Sequence, residues 1–247
     1  MSAYYNEFDP YAAQWLRNLI AAGHIAPGDV DERSILEVKP DDLRGYTQCH
    51  FFAGIGGWSE ALHIAGWPDD RPVWTGSCPC QPFSSAGRQR GSEDERHLWP
   101  AFFNLIRECR PASVFGEQVA GAAGLAWLDH VCADLEDAGY AAAAADLCAA
   151  GAGAPHIRQR LYWVADTVDE GSRLPREACE DRNAARDSSA RFVSAGGGFQ
   201  GICWGGTESE PVALLDGVQN RVGRLRAYGN AIVPQVAAAF VMACGLS

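Results

Sequence analysis

The chain has 247 residues, of which 47% are hydrophobic, so it is long enough for one domain with a core and a small extra lobe. It has no run of about 18 apolar residues and no basic-then-apolar leader, which argues against a membrane span and a secretory signal. The formal net charge of −11 argues against a simple basic surface for nucleic acid. Nine cysteines, an odd number without regular spacing, favour free thiols and a cytoplasmic protein.

The spacing of apolar residues predicts helices that alternate with strands. In chain order these are a helix at 11–22, a short strand within 26–38, a strand, glycine turn and helix at 47–67, a strand and cysteine turn at 71–83, a helix at 96–111, a strand at 112–119, a helix at 124–140, an ambiguous segment that could be a strand at 141–150, a strand at 157–166 and an apolar helix within 224–244. This order predicts an open α/β sheet. The polar residues 167–210 interrupt the pattern and read as an irregular insertion or small lobe.

The segment "FFAGIGG" (51–57) lies between a predicted strand and a predicted helix. Glycines at such a turn let the backbone approach a ligand closely at the carboxyl end of a strand. A tight strand–helix turn that binds no ligand fits the same pattern.

The segment "GSCPCQPF" (76–83) contains Cys78 and Cys80 on either side of a proline. A disulfide between residues two apart has poor geometry, and no further CxxC or His pair completes a metal site. A nucleophile on a stiff turn fits better, since nearby arginines can lower a thiol pKa. A purely structural turn remains open at this point.

Two further segments place polar residues at predicted strand ends. "FGEQV" puts Glu117 at the end of an apolar strand, and "PHIRQRLYWV" puts Arg158 and Arg160 on one face of another. Taken singly, a solvated glutamate and an exterior arginine pair are equally good interpretations.

The motifs taken together resemble the DNA cytosine-C5 methyltransferase family. The likeness runs in order through "FFAGIGG", "PCQPFSSAGRQRG", "GEQV", "IRQR" and "YGNAIVPQV", over roughly residues 50–165 and 220–243, and the compact layout is similar to small phage- or prophage-borne members. The resemblance implies a Rossmann-like α/β sheet that binds S-adenosylmethionine. It implies that the partner is double-stranded DNA, that the protein acts on DNA as a monomer, and that neither a metal nor a membrane is involved. The expected location is the cytoplasm of a bacterium or of a phage-infected cell.

The resemblance also implies roles for individual residues. Cys80 aligns with the nucleophile, Glu117 with the glutamate that holds N3 and N4 of cytosine, and Arg158 with the arginine at O2, with Arg160 beside it. The implied cofactor residues are Phe52, Gly54, Ile55, Gly56, Gly57 and Asn230, and the implied DNA contacts are Gln81, Ser84, Arg88 and Arg90.

The chain departs from the family between the glycine turn and the cysteine. Family members usually carry two more strands there, with acids for the cofactor's ribose and adenine, but only residues 58–79 separate Gly57 from Cys80. The sheet is therefore shortened, or its missing parts come from elsewhere in the chain. We expect the N-terminal segment to help cover the cofactor, with Asp31, Glu32 or Glu37 as hydroxyl acceptors.

These expectations divide the chain into four regions: a helical, cofactor-covering segment at 1–48, a catalytic core at 49–165, a small target-recognition region at 166–215 and a completing C-terminal motif and helix at 216–247. Two alternatives remain open. One is an RNA cytosine methyltransferase with the same motifs, and the other is a catalytically degenerate DNA-binding partner.

Overall fold

The computed structural model describes residues 2–79, 98–167 and 231–245. They form one seven-stranded sheet in the order β2-β1-β3-β4-β5-β7-β6. The strands are β1 (Ser2–Asn6), β2 (Gly28–Asp31), β3 (Tyr46–Phe51), β4 (Val73–Gly76), β5 (Ser113–Val119), β6 (Tyr140–Cys148) and β7 (Gln159–Thr167). The α/β sheet predicted from the sequence is confirmed, and the ambiguous alanine-rich segment is a strand.

Five helices of the described residues pack on the sheet: α1 (Pro10–Ala21), α2 (Gly57–Ile64), α3 (Trp99–Cys109), α4 (Ala122–Asp137) and α5 (Pro234–Ala243). Local sequence explains where α1 begins, because the Asp9 carboxylate accepts hydrogen bonds from the first turn and proline follows at the first helical position. The apolar helix α5 packs on α2, with Val236, Ala237 and Val241 buried. These positions agree with the helices predicted from the spacing of apolar residues.

Strand direction explains why polar groups gather at one edge. Strands β1 to β5 run parallel to one another, whereas β7 runs antiparallel to β5 and to β6. The carboxyl ends of β1 to β6 and the start of β7 therefore meet at the same edge of the sheet. Ligands of open α/β sheets bind outside the carboxyl ends of their strands.

The N-terminal segment is part of the sheet. β1, α1 and β2 form a parallel unit whose first strand pairs directly with β3, Tyr4 opposite Cys49 and Asn6 opposite Phe51. The expectation that the missing parts of the sheet come from elsewhere in the chain therefore holds, since two of its strands come from residues before β3. The predicted boundary at residue 48 falls inside β3. Strand β1 was not predicted.

Both faces of the sheet are apolar. One cluster joins Phe51, Phe102, Val131 and Trp163 beneath α3 and α4, and another joins Leu62, Phe115, Tyr162 and Phe240 beneath α2 and α5. Residues buried on both faces are expected for a largely parallel sheet. Within the described ranges, no helix is long and apolar enough to cross a membrane. The predicted recognition region lies almost wholly outside the described residues.

Candidate functional site

The glycine turn follows β3 at the edge where the strand ends meet. Gly54 and Gly56 have φ of 56° and 83°, and Phe52 has φ of 52°, which is costly for a residue with a side chain. A Cβ on Gly57 would lie 2.7 Å from Cγ1 of Ile232, so glycine is required there by the C-terminal segment. The turn brings backbone N–H groups to the start of α2, as a site for a negatively charged ligand group needs.

The turn that carries the cysteines follows β4 and is fixed to both neighbouring elements. The Gln118 side chain donates to the carbonyl oxygen of Cys78 at 3.2 Å, and the Trp58 indole donates to Ser77 Oγ at 3.0 Å. The Ser77 hydroxyl also hydrogen-bonds the Glu117 carboxyl. The chain is thereby held beside Glu117 up to a point two residues before Cys80.

Six of the residues predicted for the site cannot be placed. Cys80, Gln81, Ser84, Arg88, Arg90 and Asn230 lie outside the described residues. Their roles stay predictions from the sequence.

Glu117 is the central polar group of the described site. Its side chain is buried near the end of β5, at 7% exposure, and its Oε1 lies 2.8 Å from Nε of Arg160. Burial raises the pKa of Glu117, and the charges of Arg160 and Arg158 oppose that rise in part. The carboxyl therefore holds its proton to higher pH than an exposed glutamate does.

The two predicted arginines have different partners. Arg160, opposite Val119 in the β5–β7 ladder, makes the ion pair with Glu117. Arg158 donates from Nη2 to the carbonyl oxygen of Ala231 at 2.6 Å, which ties the start of β7 to the segment that leads into α5. The sequence predicts that both residues lie at one strand end, as the structure shows, but it does not predict their hydrogen-bond and ion-pair partners.

A cavity of about 1500 Å³ joins these elements. Its walls come from the glycine turn, the α1–β2 connection, the residues after β5, the β6–β7 loop and the start of α5. A single small-molecule site usually occupies roughly 300–1,000 Å³. The cavity therefore exceeds the usual volume of a single small-molecule site.

The three N-terminal carboxylates expected to face the cofactor occupy different positions, and their role as hydroxyl acceptors stays a prediction: Asp31 ends β2 at the edge where the strand ends meet. Asp31 accepts from the Tyr4 hydroxyl and from Arg33, Glu32 pairs with Arg17 on the surface, and Glu37 lies in the 3₁₀ turn at Ile35–Glu37. Glu7 instead reaches the glycine turn, where its Oε2 accepts from the Gly54 N–H at 2.7 Å. Glu7 was not predicted as a site residue. The signal for it in the sequence is an acid that directly follows the short β-prone run "AYYN".

Comparison with known proteins gives a consistent result. The family model described as C-5 cytosine-specific DNA methylase matches residues 67–191. The chain is 36% identical over 162 residues to the type II methyltransferase M.NaeI of Lentzea aerocolonigenes, covering 64% of this chain and 33% of that protein. It is 34% identical over 100 residues to M.NgoMIV of Neisseria gonorrhoeae, covering 39% and 32%. The chain thus spans about a third of the length of these relatives.

Among solved structures, a DNMT2 protein of Spodoptera frugiperda aligns with a TM-score of 0.49 and 16% identity, over 72% of this chain and 45% of that one.

Proposed function

Since the chain belongs to the C-5 cytosine-specific DNA methylase family, we propose that it transfers a methyl group from S-adenosylmethionine to C5 of cytosine in DNA. The observation that carries this proposal is the buried Glu117–Arg160 pair. Glu117 lies beside the fixed start of the cysteine turn, where Ser77 hydrogen-bonds it, and Arg160 lines one cavity with the glycine turn. A carboxyl and a guanidinium at this spacing match the N3, N4 and O2 edge of cytosine.

The chemistry gives each protein group a task. Cytosine C5 is a poor nucleophile, and addition of the Cys80 thiolate at C6 turns the ring into an enamine-like species. Glu117 stabilises the charge that builds at N3 by sharing its proton, and Arg160 orients that carboxyl. After C5 has gained the methyl group, loss of the C5 proton expels the thiol. Because the cytosine ring is stacked inside a duplex, the target base must leave the stack and enter the cavity before C5 and C6 can react.

The described residues fit S-adenosylmethionine. The cofactor supplies a methyl group on a sulfonium, which is its whole contribution to the chemistry. The glycine turn offers N–H groups at the start of α2, and the Glu7 carboxyl lies beside that turn as an acceptor for ribose hydroxyls. The N-terminal strand unit thus supplies an acid that follows a strand, where the interval before Cys80 is too short to hold two further strands.

Glu7→Gln is expected to weaken S-adenosylmethionine binding by about tenfold, because a charged acceptor is lost at the cofactor and at Gly54. The dissociation constant from isothermal titration calorimetry measures this. Glu108→Gln is the matched control, since Glu108 is exposed on α3 and its replacement leaves the constant unchanged. Equal constants for Glu7→Gln and the native protein would refute the role of Glu7.

The substrate is tested with radiolabelled methyl transfer to duplex DNA and, in parallel, to total tRNA. We expect label in DNA. Label in tRNA alone would replace DNA by RNA as the substrate, and DNA binding without transfer to either would support a degenerate binding partner.

The recognised sequence is expected to be short, about two to four base pairs, because the region at 166–215 is small and each good base contact contributes about 1–3 kcal/mol of discrimination. Methylation mapping of DNA from cells that express the protein measures the site. A six-base site would contradict this expectation.

A further inference from the structure

The segment Ala231–Val233 is fixed between the glycine turn, where the cofactor is proposed to bind, and β7, which carries Arg160. On one side, the Arg158 guanidinium donates to the carbonyl oxygen of Ala231 at 2.6 Å. On the other side, the buried Ile232 side chain fills the space that a Cβ on Gly57 would need. The backbone of Val233 also hydrogen-bonds the Tyr162 hydroxyl of β7. The segment therefore touches the glycine turn and β7 at once.

Arg158 is placed for this contact. It is half-buried between Ile157 and Gln159, which are both exposed, so its side chain turns inward where its neighbours turn out. A guanidinium that donates to a backbone carbonyl in a partly buried setting makes a strong, directional hydrogen bond. Arg160, two residues on, already makes the ion pair with Glu117.

We propose that Arg158 is a positioning residue for the cofactor pocket: it holds Ala231–Val233 so that Ile232 seats against Gly57 and closes the wall beside the glycine turn. Arg160 is then the arginine that orients Glu117 and faces the base. This inference rests on the proposed function and deepens it, because it gives the two arginines different roles. Arg158 supports the binding of the cofactor, and Arg160 acts at the base.

The division predicts different kinetic effects for matched variants. Arg158→Gln raises the dissociation constant and the KM for S-adenosylmethionine by about tenfold, while kcat at saturating cofactor stays within about threefold of the native value. Arg160→Gln leaves the cofactor dissociation constant unchanged and lowers kcat. Arg158→Lys recovers part of the cofactor affinity, because an ammonium still donates to the Ala231 carbonyl.

The experiment measures cofactor binding by calorimetry on the full chain without DNA, followed by steady-state kinetics on duplex DNA. The inference is overturned if Arg158→Gln binds the cofactor as the native protein does, since that result removes the positioning role. It is also overturned if Arg158→Gln lowers kcat without changing KM, since that result places Arg158 at the base. If Arg158→Gln does not fold, as judged by thermal unfolding, the milder Arg158→Lys decides: native cofactor affinity overturns the inference, and weakened affinity in a folded protein supports it.

Failure of the proposed function gives a different result. If the native protein binds no S-adenosylmethionine, the proposed function fails at its first step. If the native protein binds it and both Arg158 variants bind equally well, the proposed function stands and only the positioning role is wrong.

Discussion

Cys80→Ala is expected to abolish methyl transfer, with a loss of at least about 10³-fold, because the variant lacks the thiolate that is proposed to add to C6 of cytosine and activate C5. Cofactor binding should be unchanged. Duplex DNA that contains 5-fluorocytosine gives a second readout. The native thiol forms an adduct that cannot lose fluorine as it would lose a proton, so a covalent complex persists on a denaturing gel, and Cys80→Ala forms none.

Cys78→Ala is the matched control from the same turn. The Cys78 side chain is buried at 3% exposure, and the contact that fixes the turn is made by its carbonyl oxygen with Gln118, which alanine preserves. We expect this variant to lose about 1 kcal/mol of stability and to keep its activity within a few fold. Loss of the covalent complex in Cys78→Ala but not in Cys80→Ala would reverse the assignment of the nucleophile.

Glu117→Gln is expected to lower kcat by about a hundredfold or more, since the amide cannot share a proton with N3. Burial raises the pKa of Glu117, so its protonated form persists to higher pH than in an exposed glutamate, and activity that needs this proton falls as pH rises through that pKa. The variant loses this step from its pH–rate profile. The exposed Glu108, at the end of α3, provides the control substitution Glu108→Gln.

The same shift has a consequence for stability. A carboxyl whose pKa is higher in the folded than in the unfolded protein stabilises the fold fully below its unfolded pKa of about 4.3, and that contribution is lost as pH rises through the folded pKa. Thermal unfolding of Glu117→Gln should therefore lack this pH dependence. An unchanged pH–rate profile and an unchanged stability profile would contradict the role of Glu117.

Much of the site could be predicted from the sequence because its residues follow strands in a fixed order. A run of apolar residues that ends near Glu117, and a second that begins after Arg158, predict two strands with polar ends. The glycine turn could also be predicted, because Gly54 and Gly56 adopt positive φ, a conformation that favours glycine. These local signals need no knowledge of distant contacts.

The origin of the two outer strands could not be read from local pattern. β1 is five residues long and becomes a strand through its parallel pairing with β2 and β3, which lie more than twenty and forty residues away along the chain. Glu7 reaches the glycine turn only through that pairing. The partners of Arg158 and Arg160 likewise depend on the C-terminal segment, which the spacing of the two residues does not reveal.

The central claim is tested most directly by mass spectrometry of nucleosides from duplex DNA incubated with the protein and S-adenosylmethionine. The account predicts 5-methylcytosine with the native protein and none with Cys80→Ala. A native protein that binds S-adenosylmethionine and DNA yet yields no 5-methylcytosine, or that methylates another position of the base, would contradict it.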